Sequence, residues 1–573
     1  MTGQADWDLI VVGSGAAGWS AAVTAALKGL KVIVLEKAPY FGGTTASSGG
    51  WIWVPCSKQA NEAGVQDSIE KARRYLEVET GKNFRASHVD AYLARAPEAL
   101  DFLTSNSDLA FDLGPQYSDY HAEYEGGLPG GRALVARPYD ARNLGAHKAR
   151  LKPPLPETTF LGMMVGSGKE LKHFFNATRS PVSAAYVSVL LARYVKDRVF
   201  FGRSMRLTNG SAMVARLAAT AFRLGVELRL ETPVRALLFE NGGVTGVLAT
   251  HDGKTFDLRA RGGVVLASGG FAHDKAVRLQ LYPHVRDGSD HYSAVDPHVT
   301  ADSWDMVQAV GGEIISNFPN AAAWVPLSLV PRPDGSHGVF PHFIDRAKPG
   351  VMAVVPPGRR FVNEAVSYHD FIQALIKARA GQGECACWLI ADHDAIRKYG
   401  LGHVKPFPVP MGPALKSGYL RRGNTLPELA EACGLDAQTL QTTVQNYNRH
   451  AESGEDPEYG RGTRAYNRYL GDPQHKPNPC VRPLRTPPFY AVRLVAGDLG
   501  TFAGIATDEN ARVLDQSGTA IPGLYAAGND AASILSGTYP GAGITLGPAI
   551  TFGYLAALDA ADTLGRKLKD GTS

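Results

Sequence analysis

DLIVVGSGAAGWSAAVTAALKGLKVIVLEK, residues 8–37, decides the fold. Leu9 to Val12 form a short apolar run that reads as a buried strand. Gly13, Gly15 and Gly18 follow in the pattern GxGxxG. A helical stretch then runs to about Lys28, Gly29 marks a turn, and Lys31 to Leu35 read as a second strand. Glu36 ends that strand, 18 residues beyond Gly18. Each position has a physical task. Gly13 permits a tight turn, Gly15 lets the backbone approach a pyrophosphate, and Gly18 lets helix and strand pack closely. Ala16 and Ala17 open the helix, whose N-terminus offers unpaired N–H groups and the positive end of its dipole to phosphates. Glu36 is placed to accept hydrogen bonds from a ribose hydroxyl, and Lys37 follows it. A lone GxGxxG is a weak signal. With both strands, the helix and the terminal acid, it specifies a dinucleotide-binding βα unit.

That unit is a small part of a 573-residue chain, too long for one compact core, so at least two domains are expected. Hydrophobic residues make up 44% and charged residues 20%, a globular composition. The 63 glycines suit a large cofactor-binding fold with many close backbone approaches. A net charge of +4 without dense Lys/Arg runs excludes a nucleic-acid partner. Five cysteines, an odd number, argue against a disulfide framework and for a reducing, cytoplasmic compartment. Cys385 and Cys387 form a lone CxC with no second pair and no HExxH, so they read as free thiols and no metal site is expected. The short acidic start does not read as a signal sequence. Residues 9–27 carry no charge and are long enough to span a bilayer, but their glycine spacing fits a buried βα unit better.

The next stretch distinguishes the cofactor. Lys37 leads into APYFGGTTASSGGWIW, where Gly43, Thr44, Thr45, Ser48, Gly49 and Gly50 form a loop of small polar residues. Such a loop lets backbone approach the pyrophosphate and isoalloxazine of a long, extended cofactor, which points to FAD. No second GxGxxG in strand context follows, so no separate nicotinamide site is indicated.

With these residues the chain resembles the fumarate reductase/succinate dehydrogenase flavoprotein superfamily, and within it the 3-ketosteroid dehydrogenases, over nearly its whole length. GGTTASSGGWIWVP resembles the family's flavin loop. GGVVLASGGF, residues 262–271, resembles its second flavin signature and brings in Ser268 and Gly269. GLYAAGN, residues 523–529, resembles the third and brings in Gly528 and Asn529. The resemblance also implies cofactor contacts at Val234, Thr545 and Leu546. The respiratory members carry a histidine in the first loop for a covalent flavin link; TTASSGG has none, so FAD is expected to be noncovalent.

The resemblance implies an α/β fold, a Rossmann-like FAD-binding domain with an inserted α+β catalytic cap domain. The expected boundaries are 1–289 for the first part of the FAD domain, 290–489 for the cap and 490–573 for the return. Residues 66–104 look helical, and 107–160 read as loops. NGSAMVARLAATAFRLG reads as a helix with Asn209 or Ser211 near its cap. The stretch from Val226 to Ser268 alternates as a β-meander with NGG and DGK turns. In the cap, Thr425 and Glu428 suggest a capping box, and Leu440, Val444 and Tyr447 form an apolar stripe. PVSAAYVSVLLARYVKDRVFF, residues 181–201, is open to three readings: a buried helix, a substrate-entry lid or a patch dipping into a bilayer.

The remaining signals concern tyrosines. GRRFVNEAVSYHDF, residues 358–371, resembles the family's RFxNE segment. Fumarate reductases place a proton-delivering arginine soon after NE; Tyr368 stands here instead, as in the ketosteroid dehydrogenases, where the resemblance makes it the base. SGTYPGAGITLGPA, residues 536–549, resembles their YPGPG motif, with Ala542 for the usual proline. There the resemblance puts the Tyr539 hydroxyl and the Gly543 N–H on the substrate carbonyl oxygen. QYSDYHAEY supplies a helper tyrosine, Tyr120 by its place after Asp119, with Tyr117 and Tyr124 as rivals. His121 and His369 read as solvated or structural. The chemistry is coherent. An α-proton becomes acidic when the carbonyl oxygen is stabilised as it becomes enolate. A phenol with pKa near 10 is a poor base at neutral pH unless its anion is stabilised, as a neighbouring hydroxyl does.

The expectation is thus a dehydrogenase that desaturates ring A of a 3-ketosteroid. The alternatives are a desaturase of another cyclic ketone or steroid position, a fumarate-type reductase, and a noncatalytic flavin protein. Its electron acceptor is unknown, and peripheral membrane contact stays open.

Overall fold

Leu9–Val12 is a buried strand at the centre of a six-stranded sheet. The computed structural model describes residues 6–565 of the chain. The strand pairs in parallel with Val32–Leu35 on one side and Val264–Leu266 on the other. Glu227–Arg229 extends one side in parallel. Ala520–Ala526 extends the other in parallel, and Arg512–Leu514 closes that edge antiparallel. The strands are short and apolar because both faces are covered. Small residues fill the helix Ala16–Leu27, so it lies close to its neighbours. The long helix Leu546–Thr563 crosses it at Gly553, where a Cβ would stand 2.4 Å from the Ala17 carbonyl oxygen. The Ser20 hydroxyl donates to the Ile550 carbonyl at 2.7 Å and ties the two helices together.

A three-stranded antiparallel sheet, Val234–Glu240, Gly243–His251 and Lys254–Arg259, is the expected meander. Its turns put Asn241, Gly242, Asp252 and Gly253 at positive φ, as hairpins joined by such pairs require. The helix Asn209–Arg223 forms as expected, with Asn209 next to its N-cap. Neither Asn209 nor Ser211 caps it, and Thr208 occupies the N-cap without a side-chain bond. The Asn209 amide instead holds a loop, accepting from the Ser167 N–H at 2.9 Å and donating to the Val165 carbonyl at 2.9 Å. Residues 107–160 contain short strands, Phe111–Leu113 and Ala133–Ala136; the second pairs with both the first and Trp51–Trp53 in a small sheet.

The second large sheet is built around Phe489–Thr501, a 13-residue strand. Ala322–Pro331 and Ala386–Ala391 flank it, with His337–Pro341 and Val351–Val354 at the edges. The helix Leu426–Cys433 opens with Thr425 accepting from the Glu428 N–H, while Glu428 accepts from the Asn424 N–H. Leu440, Val444 and Tyr447 are buried on the next helix, Ala437–Ala451. Among the described residues no helix is long and apolar enough to cross a membrane.

Candidate active site

One cavity of about 1120 Å³ runs from the glycine turn after Leu9–Val12 to the second sheet. Every candidate cofactor residue lines it except Gly18. Gly18 acts in packing, because a Cβ there would stand 2.0 Å from the Gly13 carbonyl oxygen. Gly13 has φ +101, and a Cβ on it would meet the Ala267 carbonyl oxygen at 2.3 Å. Gly15 is open by comparison, with only the Thr45 hydroxyl 3.4 Å from its missing Cβ. The start of helix Ala16–Leu27 therefore presents bare backbone to the cavity, the arrangement that suits a pyrophosphate.

The surrounding loops are tied to that turn. The Thr45 hydroxyl accepts from the Ala16 N–H at 3.0 Å, and the Ser48 hydroxyl donates to the Thr45 carbonyl at 2.8 Å. Glu36 accepts from the Ser14 hydroxyl at 2.6 Å and from the Ala38 N–H at 2.9 Å. Burial raises its pKa, and the Ser14 and Ala38 bonds oppose that rise. Oε2 also accepts from the Ser14 N–H at 3.2 Å, and Oε1 keeps a further acceptor site for a ribose hydroxyl. The Lys37 ammonium is held at 2.6 Å by both Thr300 and Asp302. Val234, at the start of the meander, lines the same end. Near the other end, Asp530 was not anticipated from sequence. Its fully buried carboxylate accepts from the Ser268 N–H and hydroxyl, from the Gly270 N–H at 3.1 Å and from the Ser303 hydroxyl at 2.7 Å. It fixes the SGG turn of residues 268–270 against Gly528 and Asn529 and leaves Gly269 facing the cavity. Bare glycine backbone, a helix N-terminus, a terminal acid and a long cavity together fit FAD.

The expected catalytic residues meet at one wall of the cavity. Tyr120, Tyr368 and Tyr539 are all buried. The Tyr120 hydroxyl donates to that of Tyr368 at 3.1 Å. The Tyr539 ring lies 5.2 Å from the Tyr368 ring and stacks on Tyr120 at 5.8 Å. Of the rivals, Tyr124 is exposed against His121, and Tyr117 sits between Trp51 and Tyr469 in the cavity wall. Burial pushes all three central phenols up. For Tyr368, proximity to Tyr539 adds to the rise and the bond from Tyr120 opposes it.

The backbone explains how residues so distant in sequence converge. The Pro540 carbonyl accepts from the Tyr120 N–H at 2.9 Å and from the Tyr75 hydroxyl at 2.6 Å, joining two loops. Asp119 anchors the first loop, accepting from the Trp53 indole at 2.7 Å and from Arg132 at 2.8 Å. Gly541 and Gly543 let the second loop lie on the strand Trp51–Trp53. A Cβ at Gly541 would stand 2.6 Å from the Trp53 ring. At Gly543, with φ +86, it would stand 2.3 Å from the Trp51 carbonyl. No acceptor among the described residues takes the Gly543 N–H. Gly543→Ala is therefore expected to displace the loop and reduce turnover at least as much as loss of one carbonyl donor, about 100-fold, as steady-state kinetics would measure.

Tyr368 opens the helix Tyr368–Arg379, capped by Ser367. His121 is not solvated: it bonds Glu79 at 2.7 Å and Asp370 at 2.8 Å. Burial opposes its charge, but Asp370 and Glu79 outweigh it and push its pKa up to about 11. This clasp ties the Tyr120 loop to the Tyr368 helix. His369 is buried, accepts from the Trp324 N–H at 3.1 Å, and is pushed down to about 4, chiefly by burial. The NE of the RFxNE segment is structural. Glu364 is fully buried and paired with Arg360 at 2.8 Å and Arg461 at 3.1 Å. Burial works to raise its pKa, yet Arg360 and Arg461 leave it lowered. Glu364→Ala takes the carboxylate from the buried Arg461 guanidinium, while Arg360 keeps Asp456 at 2.7 Å, and is expected to cost about 3 kcal/mol in urea unfolding. The contribution of Glu364 is present above its unfolded pKa and lost as pH falls through the depressed folded value.

Comparisons with known proteins agree with this geometry. The FAD binding domain family matches residues 8–546. A 4-oxocyclohex-2-ene-1-carboxylate 5-dehydrogenase of Sinomonas cyclohexanicum is 40% identical, over 97% of this chain and 93% of its own. A 3-oxosteroid 1-dehydrogenase of Mycobacterium tuberculosis is 37% identical, over 98% of this chain and 99% of its own. The crystal structure of 3-ketosteroid delta1-dehydrogenase from Sterolibacterium denitrificans, in complex with 1,4-androstadiene-3,17-dione, superposes with a TM-score of 0.89 at 35% identity, covering 97% and 99% of the two chains. The chain belongs to this FAD-binding flavoprotein family and is an FAD-dependent dehydrogenase of the 3-ketosteroid and cyclic-ketone type.

Proposed function

We propose that the chain desaturates ring A of a 3-ketosteroid between carbons 1 and 2. One observation carries this reading: the Tyr120, Tyr368 and Tyr539 rings meet, buried, at one wall of the cavity beside the Gly543 loop. In the proposed mechanism the substrate carbonyl oxygen accepts from the Tyr539 hydroxyl and the Gly543 N–H. These donors stabilise the enolate that forms as an α-proton leaves. Tyr368 takes that proton as its phenolate, and Tyr120 stabilises the phenolate by donating to it. Bound FAD supplies the two-electron acceptor for the hydride lost from the β-carbon. Burial of the three phenols excludes water from the reacting atoms.

An apolar substrate suits the rest of the cavity, which Phe160, Met164, Leu171, Phe174, Phe340 and Phe343 help to line. Noncovalent FAD is supported by the lack of histidine between Thr44 and Gly50. The proposed domain division keeps the cap at 290–489 and the return at 490–573. The strand Phe489–Thr501 straddles that boundary and links the second sheet to the flavin side at Asn529, whose carbonyl accepts from the Thr501 hydroxyl at 3.2 Å.

A second reading takes a smaller cyclic ketone bearing a carboxylate, the substrate type in the name of the Sinomonas relative. Two lysines favour it. Lys348 and Lys405 both line the cavity, and burial pushes each down to about 8. Comparing kcat/KM for 4-androstene-3,17-dione and 4-oxocyclohexanecarboxylate, with the new double bond located by NMR, separates the readings. Preference for the steroid with a 1,2-double bond is expected. Turnover of the carboxylate alone would replace the steroid reading.

A further inference from the structure

Three buried arginines hold the segment that leads into Tyr368. Arg360 and Arg461 reach the Glu364 carboxylate, and Arg360 also pairs with Asp456. Arg346 differs. It is fully buried, yet no carboxylate among the described residues lies within ion-pair distance of it. The carboxylate of its neighbour Asp345 instead bonds the His342 ring at 2.6 Å and accepts from the Gly402 N–H at 2.9 Å. Every bond of the Arg346 guanidinium goes to backbone: the carbonyls of His342 at 3.0 Å, Glu364 at 2.7 Å and Val366 at 3.3 Å. Its flat face lies 4.7 Å from the centre of the Phe371 ring. Carbonyls satisfy the N–H groups but supply no counter-ion, whereas buried charges are ordinarily paired. With water excluded, the charge is weakly screened and favours any anion that forms nearby.

The anions that can form there are phenolates. The turn Asp345–Ala347 packs against the helix Ala465–Leu470, which carries Tyr466. Tyr466 is buried with its ring 4.4 Å from the Tyr120 ring, and the Tyr120 hydroxyl donates to Tyr368. On the other side, Val366, whose carbonyl receives the guanidinium, stands two residues before Tyr368. Burial pushes the Tyr466 phenol up, and Arg346 is the first group to oppose that rise. The other titratable groups around Arg346 are Asp345, Arg461 and Cys387. Around Tyr368 they are Tyr120, Tyr539 and Tyr117, with Asp370 on the same helix. Arg461 is paired with Glu364, and the His121 clasp holds Asp370 and Glu79. Among these groups Arg346 is the cation left without an acid.

We propose that Arg346 is a positioning residue for the reaction: its buried charge, set behind Tyr466 and Tyr120, favours the phenolate of Tyr368 that takes the α-proton. It acts through the tyrosines and does not touch substrate. The inference rests on the reading of Tyr368 as the base, and it supplies what that reading lacks, a positive charge to accompany the single hydrogen bond from Tyr120.

The test is the pH profile of kcat/KM for the full-length holoenzyme and two variants, with 4-androstene-3,17-dione or, where that is not turned over, 4-oxocyclohexanecarboxylate. Arg346→Gln should lower kcat about ten-fold at neutral pH, with KM little changed and flavin absorbance retained. Arg346→Lys keeps the charge and should stay within about three-fold of wild type there. A buried lysine loses its proton in the alkaline range, where arginine does not. The lysine variant should therefore stop gaining activity at a pH where wild type still gains it. In a Tyr368→Phe background, Arg346→Gln should cost nothing further, because the group it acts on is gone. Equal losses in the two variants with profiles parallel to wild type would make Arg346 a structural tie and overturn the proposal. So would a further ten-fold loss on top of Tyr368→Phe. Should Arg346→Gln fail to hold FAD, the bend in the lysine profile decides alone: its presence supports the role and its absence overturns it. Tyr368→Phe within two-fold of wild type, or no turnover of either ketone by wild type, would instead remove the base reading, and this inference with it.

Discussion

Tyr539→Phe is expected to lower kcat by about 10²–10³-fold while FAD stays bound. The variant keeps the ring that packs against Tyr368 at 5.2 Å and Tyr120 at 5.8 Å, so the cavity wall survives. It removes one of two donors proposed for the substrate oxygen. In a buried site that donor has no water to replace it, and the loss falls on the transition state, where the oxygen gains charge. Steady-state kinetics with 3-keto-4-ene steroid would show kcat falling with KM little changed, and flavin absorbance would report cofactor retention. A variant within two-fold of wild type would remove Tyr539 from the mechanism.

Tyr368→Phe is expected to cost about 10²–10⁴-fold, the usual contribution of a positioned general base. The pH profile distinguishes a base from a packing residue. Burial and the neighbouring Tyr539 raise the Tyr368 phenol well above its ordinary value, and Tyr120 only partly offsets them. A base is active when deprotonated, so kcat/KM should rise with pH, about ten-fold per unit below the raised pKa. The His121 clasp stays charged up to about 11 and should hold the two tyrosines together across that range. Tyr120→Phe removes the donor to the phenolate, so its profile should shift to higher pH. A wild-type rate independent of pH between neutral and mildly alkaline conditions would contradict the role given to Tyr368.

The nucleotide end of the site was legible because its signals are local. Gly13, Gly15, Gly18 and Glu36 lie within one βα unit; Gly13 and Gly18 answer close contacts, and Gly15 leaves bare backbone beside the cavity. The tyrosines were legible only through motif resemblance. Nothing in the local sequence joins Tyr120 to Tyr368, 248 residues away; the His121 clasp ties their segments, and the Pro540 carbonyl ties Tyr120 to the Tyr539 loop. Asp530 escaped notice because its four donors come from two distant segments, Ser268 to Gly270 and Ser303. Asn209 lies next to the N-cap but does not cap the helix, for a related reason. Its amide found loop partners at Val165 and Ser167, and tertiary bonds overrode the local preference for capping. Residues 181–201 form a helix that buries only Ser183, Val187 and Leu190, which excludes the buried-helix reading. That exposure was equally hidden, since an apolar helix looks the same in sequence whether it faces a core or a surface.

In the proposed reaction this wall of tyrosines removes hydrogen from a steroid ketone. The most direct measurement mixes the purified flavoprotein, without oxygen, with a 3-keto-4-ene steroid and follows the oxidised flavin band. Rapid bleaching with formation of a 1,4-dien-3-one is the expected result. An unchanged flavin band with every steroid and cyclic ketone tried would contradict the account.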